Sequence, residues 1–187
     1  MTKGKNVSVA LKGMAIMAFA GKINAQAFGP LPDDHPCYAL IGLITSECAR
    51  IEHLLDASIF EFTRLQAKMG TCITGQMVGM YPRYMALHQL AIECEAPKPI
   101  KTEITRQIEV SNKVAEKRNR AVHDAWMEDV SSGEPQQFRT RNKKSLEYGP
   151  QPVTIDNLKE DLAFIRLHLG RVMKLRGDIW ELYRAKP

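Results

Sequence analysis

The sequence predicts an all-α fold, an up-and-down four-helix bundle with a small β-hairpin inserted before the last helix. Three observations carry this. Apolar residues recur at alternating steps of three and four along four long stretches. Prolines and glycines gather between those stretches. One region, just before the last stretch, follows the two-residue period of extended chain instead.

Residues 1–36 read as an N-terminal arm and linker, and residues 37–187 as the helical domain. The arm has an apolar run over residues 7–20, preceded by Lys3 and Lys5 and interrupted by Lys12, too short and too broken to span a bilayer. Pro30, Pro32 and Pro36, with Gly29, keep residues 29–36 out of any helix interior.

The first helix is expected over residues 37–66, with Ile41, Ile44, Cys48, Ile51 and Leu55 on its apolar stripe and Glu47, Arg50, Glu61 and Arg64 opposite. Gly70 is expected to break the pattern. A second helix over residues 74–94 carries Met77, Met80, Tyr84, Leu87 and Ala91, with Pro82 kinking or dividing it. Pro97 and Pro99 end that element. A third helix over residues 102–124 has Ile104, Ile108, Ser111, Ala115, Arg118 and Val122 on one line, which assigns Arg118 to the interior. An arginine there is costly unless it is paired, lines a cleft or sits at a subunit interface. The hairpin insertion falls at about residues 125–148, with a turn at residues 131–135. Thr154 then caps a final helix to residue 184, with Asp156 adding negative charge to its first turn.

A length of 187 residues, 44% hydrophobic and 25% charged, suits one globular domain with an arm and excludes a disordered chain. The net charge of +5 permits an anionic partner. Cys37, Cys48, Cys72 and Cys94 stand singly, without metal or disulfide spacing, which suggests buried thiols in a cytoplasmic protein. The five histidines show no ligand spacing with carboxylates, so no metal and no cofactor are expected.

The stretch that suggests chemistry is Arg118-Asn119-Arg120-Ala121-Val122-His123. It places a permanent cation, an amide and an imidazole within two helical turns. Arg followed by His after four to six residues is common, and Arg83 to His88 is a second case. Asn directly after the Arg, with exact spacing, is not: with 12 Arg, 6 Asn and 5 His in this chain, chance gives on the order of 0.01 copies. RNA carries its own nucleophile, the 2′-hydroxyl, so a cleaving site must remove that proton, hold phosphorane charge and protonate the leaving oxygen. On an ideal helix Arg118 and His123 are about 140° apart. One subunit is therefore expected to converge them poorly, and a symmetric homodimer to solve the geometry.

Arg118-Asn119-x-x-x-His123 near the end of a late helix resembles the HEPN superfamily, which includes toxins of toxin–antitoxin and abortive-infection systems. The resemblance implies an α-bundle that dimerises so that two motifs face one cleft, cleaving RNA without a metal. Arg118 would hold the scissile phosphate, His123 would act as general acid or base, and Asn119 would orient its neighbours. The partners implied are RNA, a second copy and an antitoxin protein. Members paired with a nucleotidyltransferase often have a tyrosine two residues after the histidine. Ala125 stands there, so regulation through that tyrosine is not implied. Lys113, Lys117 and Arg120 beside the motif, and Arg139, Arg141, Lys143 and Lys144 in the hairpin, are candidate RNA-backbone contacts. The competing readings are a catalytically silent HEPN-like RNA- or protein-binding adaptor, and a helical scaffold in which Arg118 pairs with Glu47 or Glu52.

Overall fold

The computed structural model describes residues 27–142 and 146–184, and of residues 141–142, 146–147 and 184 the backbone alone. Among the described residues there are five helices and one four-stranded antiparallel sheet. The helices are α1 (Pro36–Thr63), α2 (Ala67–Thr74), α3 (Met80–Glu93), α4 (Lys98–His123) and α5 (Ile155–Arg184). The strands are β1 (Phe28–Pro30), β2 (Ala125–Asp129), β3 (Pro135–Asn142) and β4 (Leu146–Pro152). The described residues divide into a sheet unit, residues 27–33 with 124–142 and 146–154, and a helical unit, residues 34–123 with 155–184.

In the helical unit α1 packs on α5, α3 and α4, and α4 also packs on α3 and α5. Ile44, Cys48, Ile51, Leu55, Ile59 and Phe62 supply the buried face of α1, close to the expected stripe. His35 opens the helix by accepting the Cys37 N–H on its Nδ1, 3.2 Å away. Side-chain pairs fix the directions. Glu47 meets Arg166 and Glu61 meets Arg176, so α1 and α5 run the same way. Lys117 meets Asp161 while the preceding turns of α4 lie further along α5, so α4 runs opposite to α5.

The second helix starts later than expected, at Met80, and a short helix the sequence did not suggest, α2, precedes it; the reason is local. Gly70 does not break anything; it lies inside α2, where a Cβ would stand 2.3 Å from the Phe60 ring. A glycine is what lets α2 lie against α1. The interruption comes at residues 75–79 and ends at Gly79, whose φ of 77° suits glycine. Pro82 then falls in the first turn of α3, where a missing N–H loses no helical bond. Pro97 and Pro99 likewise open α4 rather than close α3, with the Pro97 carbonyl accepting from Ile100 and Lys101.

The predicted hairpin is larger than expected. Residues 28–30, assigned to the arm from sequence, form edge strand β1, with Phe28 opposite Asp129 and Pro30 opposite Met127. An edge strand tolerates Pro30 because no ladder N–H is required on its open side. The β2–β3 turn is held by Asp129, whose carboxylate accepts from Ser131 and Ser132. Gly133, with φ 70°, completes it.

Candidate functional site

Helix α4 carries the motif on its last two turns. Its buried residues are Ile100, Ile104, Gln107, Ser111, Val114 and Ala121. This seam differs from the expected one, since Ile108 and Ala115 are only partly covered and Val122 is exposed. Arg118 falls in step with the true seam but is half-buried, because its guanidinium leaves the core for the surface. Cys48 of α1 lies close enough to feel its charge: burial pushes that thiol up to about 11, and Arg118 opposes the rise.

At the surface, Nη1 of Arg118 donates to Asn119 Oδ1 at 3.0 Å and meets His123 Nε2 at 3.2 Å. A guanidinium only donates, so Nε2 is the acceptor and the imidazole in this arrangement is neutral. The expectation that one chain converges Arg118 and His123 poorly is therefore corrected: they are in contact within one chain. The ideal-helix angle fixes Cα directions, whereas the long arginine stem reaches across the final turn to a residue at the helix end. The Nε and Nη2 donors of Arg118 have no partner among the described residues. They form one side-on edge of the planar fork, the shape that matches two oxygens of a phosphate.

Neither acid suggested as a scaffold partner pairs with Arg118. Glu47 accepts from Arg50 at 2.7 Å and from Arg166 at 3.0 Å. Burial raises its carboxyl, but these two bonds hold it below the ordinary range. Glu52 lies 3.5 Å from Arg83.

The flanking cations are differently placed. Lys117 pairs with Asp161 and lies 5.4 Å from the Phe164 ring centre. Arg120 pairs with Glu116 at 2.8 Å, and Lys113 is exposed. In the sheet unit, Arg139 Nε donates to Gln137 Oε1 at 3.2 Å. Arg141 is the register partner of Glu147, so the acid-free run in sequence has an acid opposite it on β4. Lys143 and Lys144 lie outside the described residues. Cys72 is exposed, contrary to the buried thiol expected there, because α2 presents it outward. Among the described residues no group of three His, Cys, Asp or Glu is placed to hold a metal, and no helix is long and apolar enough to cross a membrane.

Sequence reasoning missed a buried polar cluster. Tyr84 Oη and His168 Nε2 are 2.9 Å apart in the core, and buried Gln107 donates to Glu103. Burial, with Arg171 adding to it, holds the His168 imidazole down to about 4. The signal was present as polar residues at apolar positions of three helices. Compared with family models, with curated proteins and with solved structures, the chain matches none.

Proposed function

We propose that this chain is a metal-independent endoribonuclease of HEPN type, acting as a symmetric homodimer of four-helix bundles in a toxin–antitoxin or phage-defence setting, with an antitoxin protein as partner. One observation carries the reading: Arg118 and His123 lie 3.2 Å apart on an exposed surface, with an edge of the guanidinium still available.

The arrangement suits 2′-hydroxyl attack. A phosphate seated on the Nε and Nη2 edge competes for Arg118 and draws Nη1 away from His123. This releases Nε2 as a neutral base when substrate is present. His123 then takes the 2′-OH proton as the 2′-oxygen bonds to phosphorus. Arg118 supports the charge on the phosphorane oxygens. The P–O5′ bond breaks, and the second copy's His123, protonated once its own Arg118 has turned to the phosphate, gives its proton to the departing oxygen. The products are a 2′,3′-cyclic phosphate and a 5′-hydroxyl. Asn119 fixes the rotation of Arg118 through the 3.0 Å bond. Exposed Val122 beside the motif is apolar surface that a second copy would cover.

The test is incubation with structured and single-stranded RNA in EDTA, using the wild type, His123→Ala and Arg118→Ala. Chelator-resistant cleavage leaving cyclic-phosphate ends, and lost in both variants, supports the reading. Equal background cleavage by all three overturns it. Full cleavage by protein that sediments as a monomer removes the dimeric site.

A further inference from the structure

A second feature of the helical unit has the chemistry of a nucleotide site. Where the C-terminal ends of α1 and α5 meet the start of α2, an open groove of 560 Å³ is lined by Phe60, Glu61, Arg64, Arg176, Trp180 and Tyr183 among others. The volume lies in the range that holds a small organic ligand.

Its walls are fixed. Phe60 is trapped against Gly70, and the Tyr183 ring packs edge-on against Phe62 with centroids 5.0 Å apart. Trp180 remains 40% exposed, an indole face that the core does not consume. Two guanidiniums face a single carboxylate: Glu61 reaches Arg176 only at 3.9 Å, and Arg64 makes no ion pair among the described residues. The groove therefore carries net positive charge beside aromatic surface. Arg64 caps α1 with φ 54°, in the left-handed region, a conformation that costs an ordinary residue about 1 kcal/mol or more.

We propose that this groove binds one nucleotide of a single-stranded RNA, its base stacked on Trp180 and its phosphate held by Arg64 and Arg176. Stacking is indifferent to base identity, and the guanidinium fork recognises phosphate oxygens. The groove cannot be the cleavage site itself. Arg118 sits beside Cys48, and Phe60 is twelve residues further along the same helix, about 18 Å at the helical rise. It holds a segment of the chain that lies away from the scissile bond. The choice of RNA as the chain rests on the ribonuclease reading; the chemistry of the groove does not.

Binding is measured in EDTA on the full chain carrying His123→Ala, which prevents cleavage, and Trp126→Phe, which leaves Trp180 as the sole indole. The probes are an oligoadenylate RNA of twelve nucleotides, end-labelled for anisotropy, and adenosine monophosphate. The oligonucleotide is expected to quench Trp180 saturably, and binding by anisotropy is expected to weaken about ten-fold in Trp180→Ala and again in Arg64→Asn with Arg176→Gln. Asparagine is chosen at position 64 because it tolerates the left-handed backbone. Absence of quenching, or affinity unchanged in these variants, overturns the proposal. Monophosphate binding as tight as the oligonucleotide also overturns it, since the groove would then serve a free nucleotide. If wild-type protein cleaves no RNA yet the quenching is present and Arg-dependent, the ribonuclease reading falls and the groove stands. If cleavage needs His123 but no quenching occurs, the groove falls alone.

Discussion

Arg83 and Arg118 are each followed five residues later by a histidine, and the fold uses them in opposite ways. Arg83 is nearly sealed. Its guanidinium donates to Asp56 at 2.8 Å, to the Met77 carbonyl at 2.6 Å and to the Gly79 carbonyl at 2.8 Å, with Thr74 O at 3.3 Å. Every edge of that fork is spent on holding α2 and residues 75–79 to α1. Among the described residues Arg118 meets only an amide and an imidazole and keeps one edge unspent. A guanidinium saturated by carboxylate and carbonyl oxygens is a structural clamp. One with a bare edge beside a neutral imidazole is equipped to receive an anion. Spacing alone does not separate the two; what surrounds each fork does.

The largest expected contrast is in cleavage. Arg118→Ala and His123→Ala should each lower the RNA cleavage rate by about 10²- to 10⁴-fold, with unfolding midpoints within a few degrees of wild type. A fall in stability to match would make Arg118 a second clamp and dissolve the distinction. Arg83→Ala should do the reverse. It leaves Asp56 uncompensated and strands three carbonyls, so urea unfolding should show a loss of about 3 to 5 kcal/mol. A loss under about 1 kcal/mol would show that the buried network around Arg83 is dispensable.

His168 sharpens the comparison from the core. Its imidazole is held down to about 4 in the fold, against an ordinary value of 6.5. The folded state therefore binds fewer protons than the unfolded one between those values. Stability should be complete above pH 6.5 and fall as the pH drops toward 4, by on the order of 3 kcal/mol at full effect. Chemical denaturation across that window measures it, and His168→Gln should flatten the slope. A slope unchanged in His168→Gln would assign the acid sensitivity elsewhere. The smallest effect expected is that of Tyr84→Phe, which removes the 2.9 Å contact to His168 at a cost of about 1 to 3 kcal/mol.

Much of the helical architecture was legible because amphipathic periodicity is a local signal. The first helix was expected over residues 37–66 and runs Pro36–Thr63, and the last ends where expected. The errors share one cause, that the meaning of a residue depended on a distant neighbour. Gly70 looks like a breaker until Phe60 is seen against it. Edge strand β1 has three residues and no period of its own, and it exists through pairing with β2, roughly a hundred positions away. The seam of α4 slipped because Ile108, Ala115 and Val122 keep the same period as Gln107, Val114 and Ala121, and composition favoured the apolar line over the one that holds a buried glutamine. At the candidate site the residue types and spacing were legible. Their contact was not, since helical angles describe where side chains leave the backbone and not where a six-atom arm can end.

The return from α1 to α3 has a consequence for how the molecule opens. Between Leu65 and Gly79 the chain is tied down chiefly by the Phe60–Gly70 contact and by the carbonyls gripped by Arg83, and Val78 at its tip is 90% exposed. Its amides should exchange with deuterium ahead of those of α1 and α5, and a protease of broad specificity should nick the chain near Val78 first. A cut there would leave Arg118 and His123 joined on an unbroken α4.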